Sequence, residues 1–201
     1  MKILDIEQNS DEWLEMRKGK ITGSKLKNIV VEKGTGEKIG FWQLLADSLS
    51  IEDESQSDNA RDRGHECEPQ ALVEFEKLTG KKVLKGNMWV SDDNNNIACS
   101  PDGVVSDTEA VEVKCLSASR HLEAYFTNKI PNEYKYQVLQ YFIVNEKLEK
   151  LYFCFYDPRV VAKPFFFIEV ERNEEDVEYY KNYQLEKLAK IEEYKNQLIA
   201  F

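Results

Sequence analysis

The sequence predicts a single α/β domain, and three observations predict it. Helical periodicity fills much of residues 10–78 and 117–201, four short strand-like segments separated by turn residues lie between 82 and 115, and two aromatic-rich apolar runs occupy 151–156 and 165–171. At 201 residues the chain can bury one sizeable core, and no Pro/Gly/Ser-rich linker or internal repeat divides it.

The elements follow in order. Ser10 suits the N-cap of a helix over 10–18, with Trp13, Leu14 and Arg17 near one side. A second helix is expected from Thr22 to about Val31, then a loop over 34–40, a helix over 41–49 and a polar, exposed stretch at 50–59. Leu72, Phe75 and Leu78 mark a long helix over 60–78, with Pro69 near a first turn or at a kink and Thr79-Gly80 ending it. Strands are expected at 82–84, 88–91, 97–99 and 110–115, with turns at 92–96 and at Asp102-Gly103. Residues 117–128 and 133–144 read as helices, and 151–156 and 165–171 as buried strands. A terminal helix over 173–201 places Val177, Tyr180, Leu188, Ile191 and Leu198 on a three/four lattice.

Composition narrows the function classes. No apolar run approaches membrane-spanning length, and residues 1–7 lack the apolar stretch and cleavage site of a secretion signal, so an intracellular chain with no membrane partner is expected. Cys67, Cys99, Cys115 and Cys154 are isolated, with no Cys-x-x-Cys pair, which signals neither a zinc site nor a disulfide framework. The net charge of −10 argues against general polyanion binding, but the charge is uneven. Residues 46–76 hold ten acidic residues against Arg61 and Arg63, whereas residues 17–38 hold seven basic and two acidic ones. A local basic segment can attract a phosphate backbone despite an acidic total.

The chemistry concentrates at 100–115. On a strand, side chains at i and i+2 project from one face, so Glu112 and Lys114 point together while Val111 and Val113 turn to the core. Asp102, after a proline and before Gly103, fits a turn that delivers its carboxylate beside that strand from a hairpin partner around 96–100. Two convergent carboxylates with a lysine suit a hard divalent cation, Mg²⁺ or Mn²⁺, and a metal so held can activate water against a phosphodiester. Glu-x-Lys alone is weak in a chain that is 32% charged, and it recurs at 133–135 and 193–195. Those copies fall on expected helices, where i and i+2 do not share a face. The same residues would also suit a solvated hairpin edge.

Three further clusters supply parts that phosphodiester cleavage would use. Glu68, on a helix packed over the sheet, could bring a third carboxylate; by itself it reads as a surface glutamate. Gln137 and Tyr141, one helical turn apart, can face the strand from one side. Trp13, Arg17, Thr22 and Ser24 combine an arginine fork with hydroxyls that could grip a terminal phosphate.

In order, Trp-x3-Arg-x-Gly-x-Ile-Thr-x-Ser at 13–24, Arg-Gly-x3-Glu at 63–68, Ser-Pro-Asp-Gly at 100–103, Glu-Val-Lys-Cys at 112–115, Ser-Arg at 119–120, Gln-x3-Tyr at 137–141 and Tyr-Asp-Pro-Arg at 156–159 resemble the lambda-exonuclease or YqaJ-like viral recombinase family of the PD-(D/E)xK nuclease superfamily. The resemblance spans about residues 10–172. It implies a restriction-endonuclease-like α/β core, a central mixed sheet flanked by helices, and 5′-to-3′ resection of linear double-stranded DNA for recombination by annealing. It further implies Mg²⁺ (or Mn²⁺), two ions per site, bound by Asp102, Glu112, the Val113 carbonyl and Glu68, with Lys114 assisting the attacking water and Gln137 orienting that lysine or the water. Arg17 and Ser24 match positions that contact the DNA 5′-phosphate; Thr22, Tyr141, Arg120 and Arg159 are possible further DNA contacts, the last two equally open to structural pairing. Helices at 10–50 would form the DNA-end grip, 60–172 the nuclease core and 173–201 a closing helix. A homotrimer, a single-strand annealing protein as partner and the cytoplasm of a bacterial host, from phage or prophage, are implied likewise. Gly23 stands where a small residue such as Ala is expected, a harmless departure. Two alternatives are a non-cleaving DNA-end-binding or inhibitory module of this fold and an iron–sulfur (Cas4-like) nuclease, which would need clustered cysteines.

Overall fold

A computed structural model describes residues 1–49 and 59–199, without the side chains of 59–66. Its elements are β1 (Lys2–Leu4), α1 (Asp11–Met16), α2 (Ile39–Ser48), α3 (Asn59–Thr79), β2 (Leu84–Lys85), β3 (Met88–Val90), β4 (Ala98–Cys99), β5 (Gly103–Ser106), β6 (Glu109–Lys114), α4 (Ala118–Thr127), α5 (Lys135–Val144), β7 (Lys150–Tyr156), β8 (Phe165–Glu171) and α6 (Glu174–Ile199). Five strands form one sheet in the order β2-β5-β6-β7-β8, and β1-β3-β4 form a second.

The larger sheet is mixed. β6 and β7 run parallel, which demands a crossover, and α4 with α5 supplies it; the other pairs are antiparallel. Side chains leave β6 alternately to two covered faces. Val111 and Val113 pack with Ala71 and Phe75 of α3 and with Tyr152 and Cys154. Ala110, Phe153 and Phe155 join the larger core beneath α5 and α6, with Leu139, Phe142, Leu188 and Ile191. β7 is buried along nearly its whole length because both faces are covered. The expected α/β architecture, a mixed sheet flanked by helices, is the one observed.

One side chain of α5 fastens the smaller sheet to the helix. Gln140 of α5 is fully buried, and its Nε2 donates to the Ile21 carbonyl (3.0 Å) and the Ala98 carbonyl (3.3 Å). Ile21 also forms an isolated parallel bridge to Ile97, extending the small sheet toward the segment that carries Thr22 and Ser24.

Several expectations are corrected. The helix expected from Thr22 to Val31 reduces to a 3₁₀ turn over Leu26–Asn28. Gly23 and the β-branched run Ile29-Val30-Val31 are weak helix formers, and Ile21 is drawn into the bridge. The hairpin partner of β6 is β5, not residues 96–100, which pair with β3. Gly103 therefore opens a strand opposite Val111 instead of closing a turn. Of the two places expected for Pro69, a first turn is excluded, because it lies inside α3. Leu198 is exposed, off the packed face expected for it. The stretch at 50–59 lies, apart from Asn59, outside the described residues.

Gly86 holds the loop of Asp102 at close range. A Cβ at Gly86 would stand 1.7 Å from the Pro101 carbonyl oxygen, an overlap with backbone that no side-chain rotation relieves. Gly86→Ala is expected to lower unfolding free energy by about 2–3 kcal/mol, readable as a lower urea midpoint. An unchanged midpoint would mean that the 100–102 loop yields freely.

Candidate active site

Glu112 is the hub. It is 2% exposed on the α5 face of β6, and both its carboxylate oxygens are engaged. Lys114 Nζ and Gln137 Nε2 (2.5 Å) donate to Oε1, while the Tyr141 hydroxyl sits between Oε2 and the Ser100 carbonyl (3.1 Å). Strand periodicity brings Lys114 to Glu112, and helix periodicity brings Gln137 and Tyr141 down on it together.

Asp102 reaches the same place from the start of β5. Its Oδ2 accepts the Val113 N–H at 2.7 Å and its Oδ1 accepts Gln8 Nε2 at 3.5 Å. On a strand, N–H and C=O of one residue leave by the same edge, so the Val113 carbonyl faces the Asp102 side as well. Glu68, from α3, lines the same cleft.

The electrostatics fit a bound cation. Burial first, and then the charge of Glu112, push the Glu68 carboxyl up to about 7 and the Asp102 carboxyl well above the usual carboxylate range. Burial also pushes the Tyr141 hydroxyl up, with Glu112 adding to it. At Lys114 burial works against the charge, but Glu112 and Asp102 outweigh it and the ammonium is held above its ordinary value. Three carboxylates crowded beside one ammonium are an oxygen-rich, under-neutralised set, the donor chemistry of Mg²⁺ or Mn²⁺. Among the described residues no three His, Cys, Asp or Glu side chains form a ready-made cage, and Glu112 is engaged by Lys114, Gln137 and Tyr141.

A cationic arm faces this set. Ser10 caps α1, its side chain accepting from the Trp13 N–H, and α1 buries Trp13. The Arg17 guanidinium lies 4.0 Å over the Trp13 ring and donates to Thr22 Oγ1 (3.2 Å) and Ser24 Oγ (3.0 Å). Trp13 Nε1 in turn donates to Ser100 Oγ at 3.0 Å, two residues before Asp102. Arm and carboxylates line one open cleft of about 380 Å³.

Of the sequence-derived candidates, Asp102, Glu112, Val113, Lys114, Glu68, Gln137, Tyr141, Arg17 and Ser24 all line this cleft. Thr22 is buried behind it and touches Arg17. Arg120 and Arg159 are not brought in. Arg120 pairs with Glu133 at 2.9 Å, and Arg159 forks onto Asp157 at 2.7 and 2.6 Å, so structural pairing is what the geometry gives them. Gly23 is less neutral than expected: a Cβ there would come within 3.1 Å of Gln137 Cγ, so glycine lets Gln137 settle against Glu112. The four cysteines do not meet. Cys99 is buried in the larger core and Cys154 in the smaller one, against which Cys67 and Cys115 pack, and among the described residues no three of them gather as the ligands an iron–sulfur cluster needs.

Among the cleft residues not singled out by the sequence are Gln8, Ser100 and Tyr134. Ser100 opened the Ser-Pro-Asp-Gly motif and Tyr134 lies three residues before Gln137, so both carried a signal. Gln8 carried none, because its partner is 94 positions away.

Known proteins point the same way. A family model described as the YqaJ-like viral recombinase domain matches residues 12–147. The solved structure of an alkaline exonuclease, LHK-Exo, from Laribacter hongkongensis matches with a TM-score of 0.80 at 26% identity, covering 95% of this chain and 99% of that one. The structure of LHK-Exo in complex with dAMP matches equally. A phage-related exonuclease from Haemophilus somnus 129PT shares the fold, with a TM-score of 0.64 at 16% identity over 90% of this chain and 95% of that one. No curated protein matches the sequence.

Proposed function

The chain belongs to the YqaJ-like viral recombinase family, and from that premise we propose that it is a Mg²⁺-dependent 5′-to-3′ exonuclease that resects linear double-stranded DNA. The observation that carries this reading is the convergence, in one cleft, of Asp102, Glu112 and Lys114 with the Arg17–Ser24 arm. The named activity of LHK-Exo, which this chain matches over nearly its whole length, supports it.

Asp102, Glu112, the Val113 carbonyl and Glu68 would hold Mg²⁺, or Mn²⁺ in its place, as two ions per site, and the metal supplies Lewis acidity and an acidified water. The chain's own groups do the rest. Lys114 orients the attacking water and neutralises charge that builds on the phosphate. Gln137 fixes Glu112, and Tyr141 holds the opposite oxygen. Arg17, backed by Thr22 and joined by Ser24, clamps a terminal 5′-phosphate through a charged fork. The Trp13–Ser100 hydrogen bond ties that clamp to the loop of Asp102, so the strand end and the bond to be cut keep a fixed spacing.

In this reading residues 1–201 act as one unit, with 10–50 as the end grip, 60–172 as the cutting core and 173–201 as a buttress. Resected ends are passed to a single-strand annealing protein, the chain works as a homotrimer, and its setting is the bacterial cytoplasm during phage or prophage recombination. Among the described residues no helix is long and apolar enough to cross a membrane.

Time-resolved digestion of end-labelled duplexes tests the function. A linear duplex with a 5′-phosphate is expected to be shortened with Mg²⁺ and spared with EDTA, while a covalently closed circle stays intact. Cutting of the circle would mark an endonuclease. On the same substrates Arg17→Ala is expected to slow the 5′-phosphorylated duplex by about 10- to 100-fold, the worth of a charge-assisted hydrogen bond, and to bring it level with a 5′-hydroxyl duplex. A phosphate preference that survives in Arg17→Ala would remove Arg17 from the clamp.

A further inference from the structure

Resting on the nuclease reading above, we infer that Tyr134 is a positioning residue for Lys114, its ring holding the lysine ammonium in place once Glu112 is committed to metal. Tyr134 closes a 3₁₀ turn over Asn132–Tyr134 at the entrance to α5. It precedes Gln137 by three residues and Tyr141 by seven, and all three line the cleft beside β6. The Gln-x3-Tyr pair is thereby extended to Tyr-x2-Gln-x3-Tyr, one run of residues that attends to one strand.

The argument turns on what holds Lys114. Its Nζ contacts Glu112 Oε1, and it lies 5.3 Å from the centre of the Tyr134 ring. A divalent cation bound to Glu112 would compete for that carboxylate and repel the ammonium. Four flexible methylenes would then let Lys114 swing out into the cleft, since its side chain is 20% exposed. The Tyr134 ring is the partner that a metal does not take away, and its π face attracts a cation without needing an anionic charge. The ring is itself held, with Phe153 of β7 at 5.6 Å between centroids. A leucine could fill the same space but has no quadrupole; a phenylalanine has one and lacks only the hydroxyl.

Two measurements on the full chain test this. The first needs no activity. In Mg²⁺-loaded protein with labelled lysines, the ε-methylene signal that disappears in Lys114→Ala is expected to lie upfield of the other lysines through the ring current, and to return to the ordinary position in Tyr134→Leu. A signal unmoved by Tyr134→Leu overturns the inference. The second is kinetic. Tyr134→Phe is expected to stay within about twofold of the parent, while Tyr134→Leu lowers kcat about tenfold with KM unchanged, the factor a partly desolvated cation–π contact supplies. In a Lys114→Ala background Tyr134→Leu is expected to add nothing. A further loss in that background, or a Phe variant as impaired as the Leu variant, overturns it. If the parent protein fails to digest linear duplex at all, the nuclease reading falls, and the lysine signal still decides where Tyr134 holds Lys114.

Discussion

Lys114→Ala is expected to bind a 5′-phosphorylated linear duplex as the parent does and to degrade it about a hundred- to a thousandfold more slowly in Mg²⁺. The expectation follows from placement. Lys114 is the cationic side chain in contact with Glu112, and Asp102 and Glu112 together hold its ammonium protonated against the cost of burial. Alanine removes the charge that a phosphorane-like transition state would draw on, and leaves the Arg17–Ser24 arm, and so the grip on the end, untouched. Gel-shift titration in EDTA should give one affinity for both proteins, and single-turnover digestion should separate them. Undiminished digestion by Lys114→Ala would sink the assignment of the 102–114 cluster as the cutting site.

The second large effect is on stability. The carboxyls of Glu68 and Asp102 are raised by burial and by Glu112, so the folded state binds their protons more tightly than the unfolded chain does. Linkage then fixes the sign. Their contribution is most favourable at acid pH and is lost as pH climbs from the unfolded value, 4.5 for Glu68, through the folded one, about 7. Bound Mg²⁺ offsets that loss only where the carboxyls are ionised. We expect Mg²⁺ to raise Tm by about 4 °C or more over EDTA at pH 8, equivalent to about 1–2 kcal/mol for a chain of this length, and hardly at all at pH 5. Asp102→Asn, which deletes one of the crowded charges, should raise the EDTA midpoint at pH 8 and abolish the response to Mg²⁺. Scanning calorimetry reads both. An equal Mg²⁺ response at the two pH values would show that these carboxyls do not receive the ion.

How far the sequence could be read depended on the range of each interaction. β6 was legible because alternation alone puts Glu112 and Lys114 on one face, and α5 because Gln137 and Tyr141 fall one turn apart. The arm was legible as residues but not as structure. Its hydroxyls were expected on a helix and instead sit on a bridge-and-turn segment whose path is set by Ile97 and Gln140, far along the chain. β5 was missed because an Asp-Gly pair reads as a turn, and only its pairing with Val111 reveals a strand. Gln8 lay beyond reach altogether, since nothing local marks a glutamine that will meet an aspartate from a distant loop. The two arginines read as open between DNA contact and pairing have near partners, Glu133 for Arg120 and Asp157, inside the same motif, for Arg159.

Gln140 carries a consequence for how such a protein can change. Its amide fastens the backbone of residues 21 and 98 to the same helix that presents Gln137 and Tyr141 to Glu112. A shift of the 21–24 segment to accept a different strand terminus would tug on α5 and tilt the groups that steady the hub carboxylate. On the nuclease reading, end preference and turnover would be linked traits, and directed selection for a new terminus would be expected to recruit compensating changes at position 140 before it recruits any at the cleft wall.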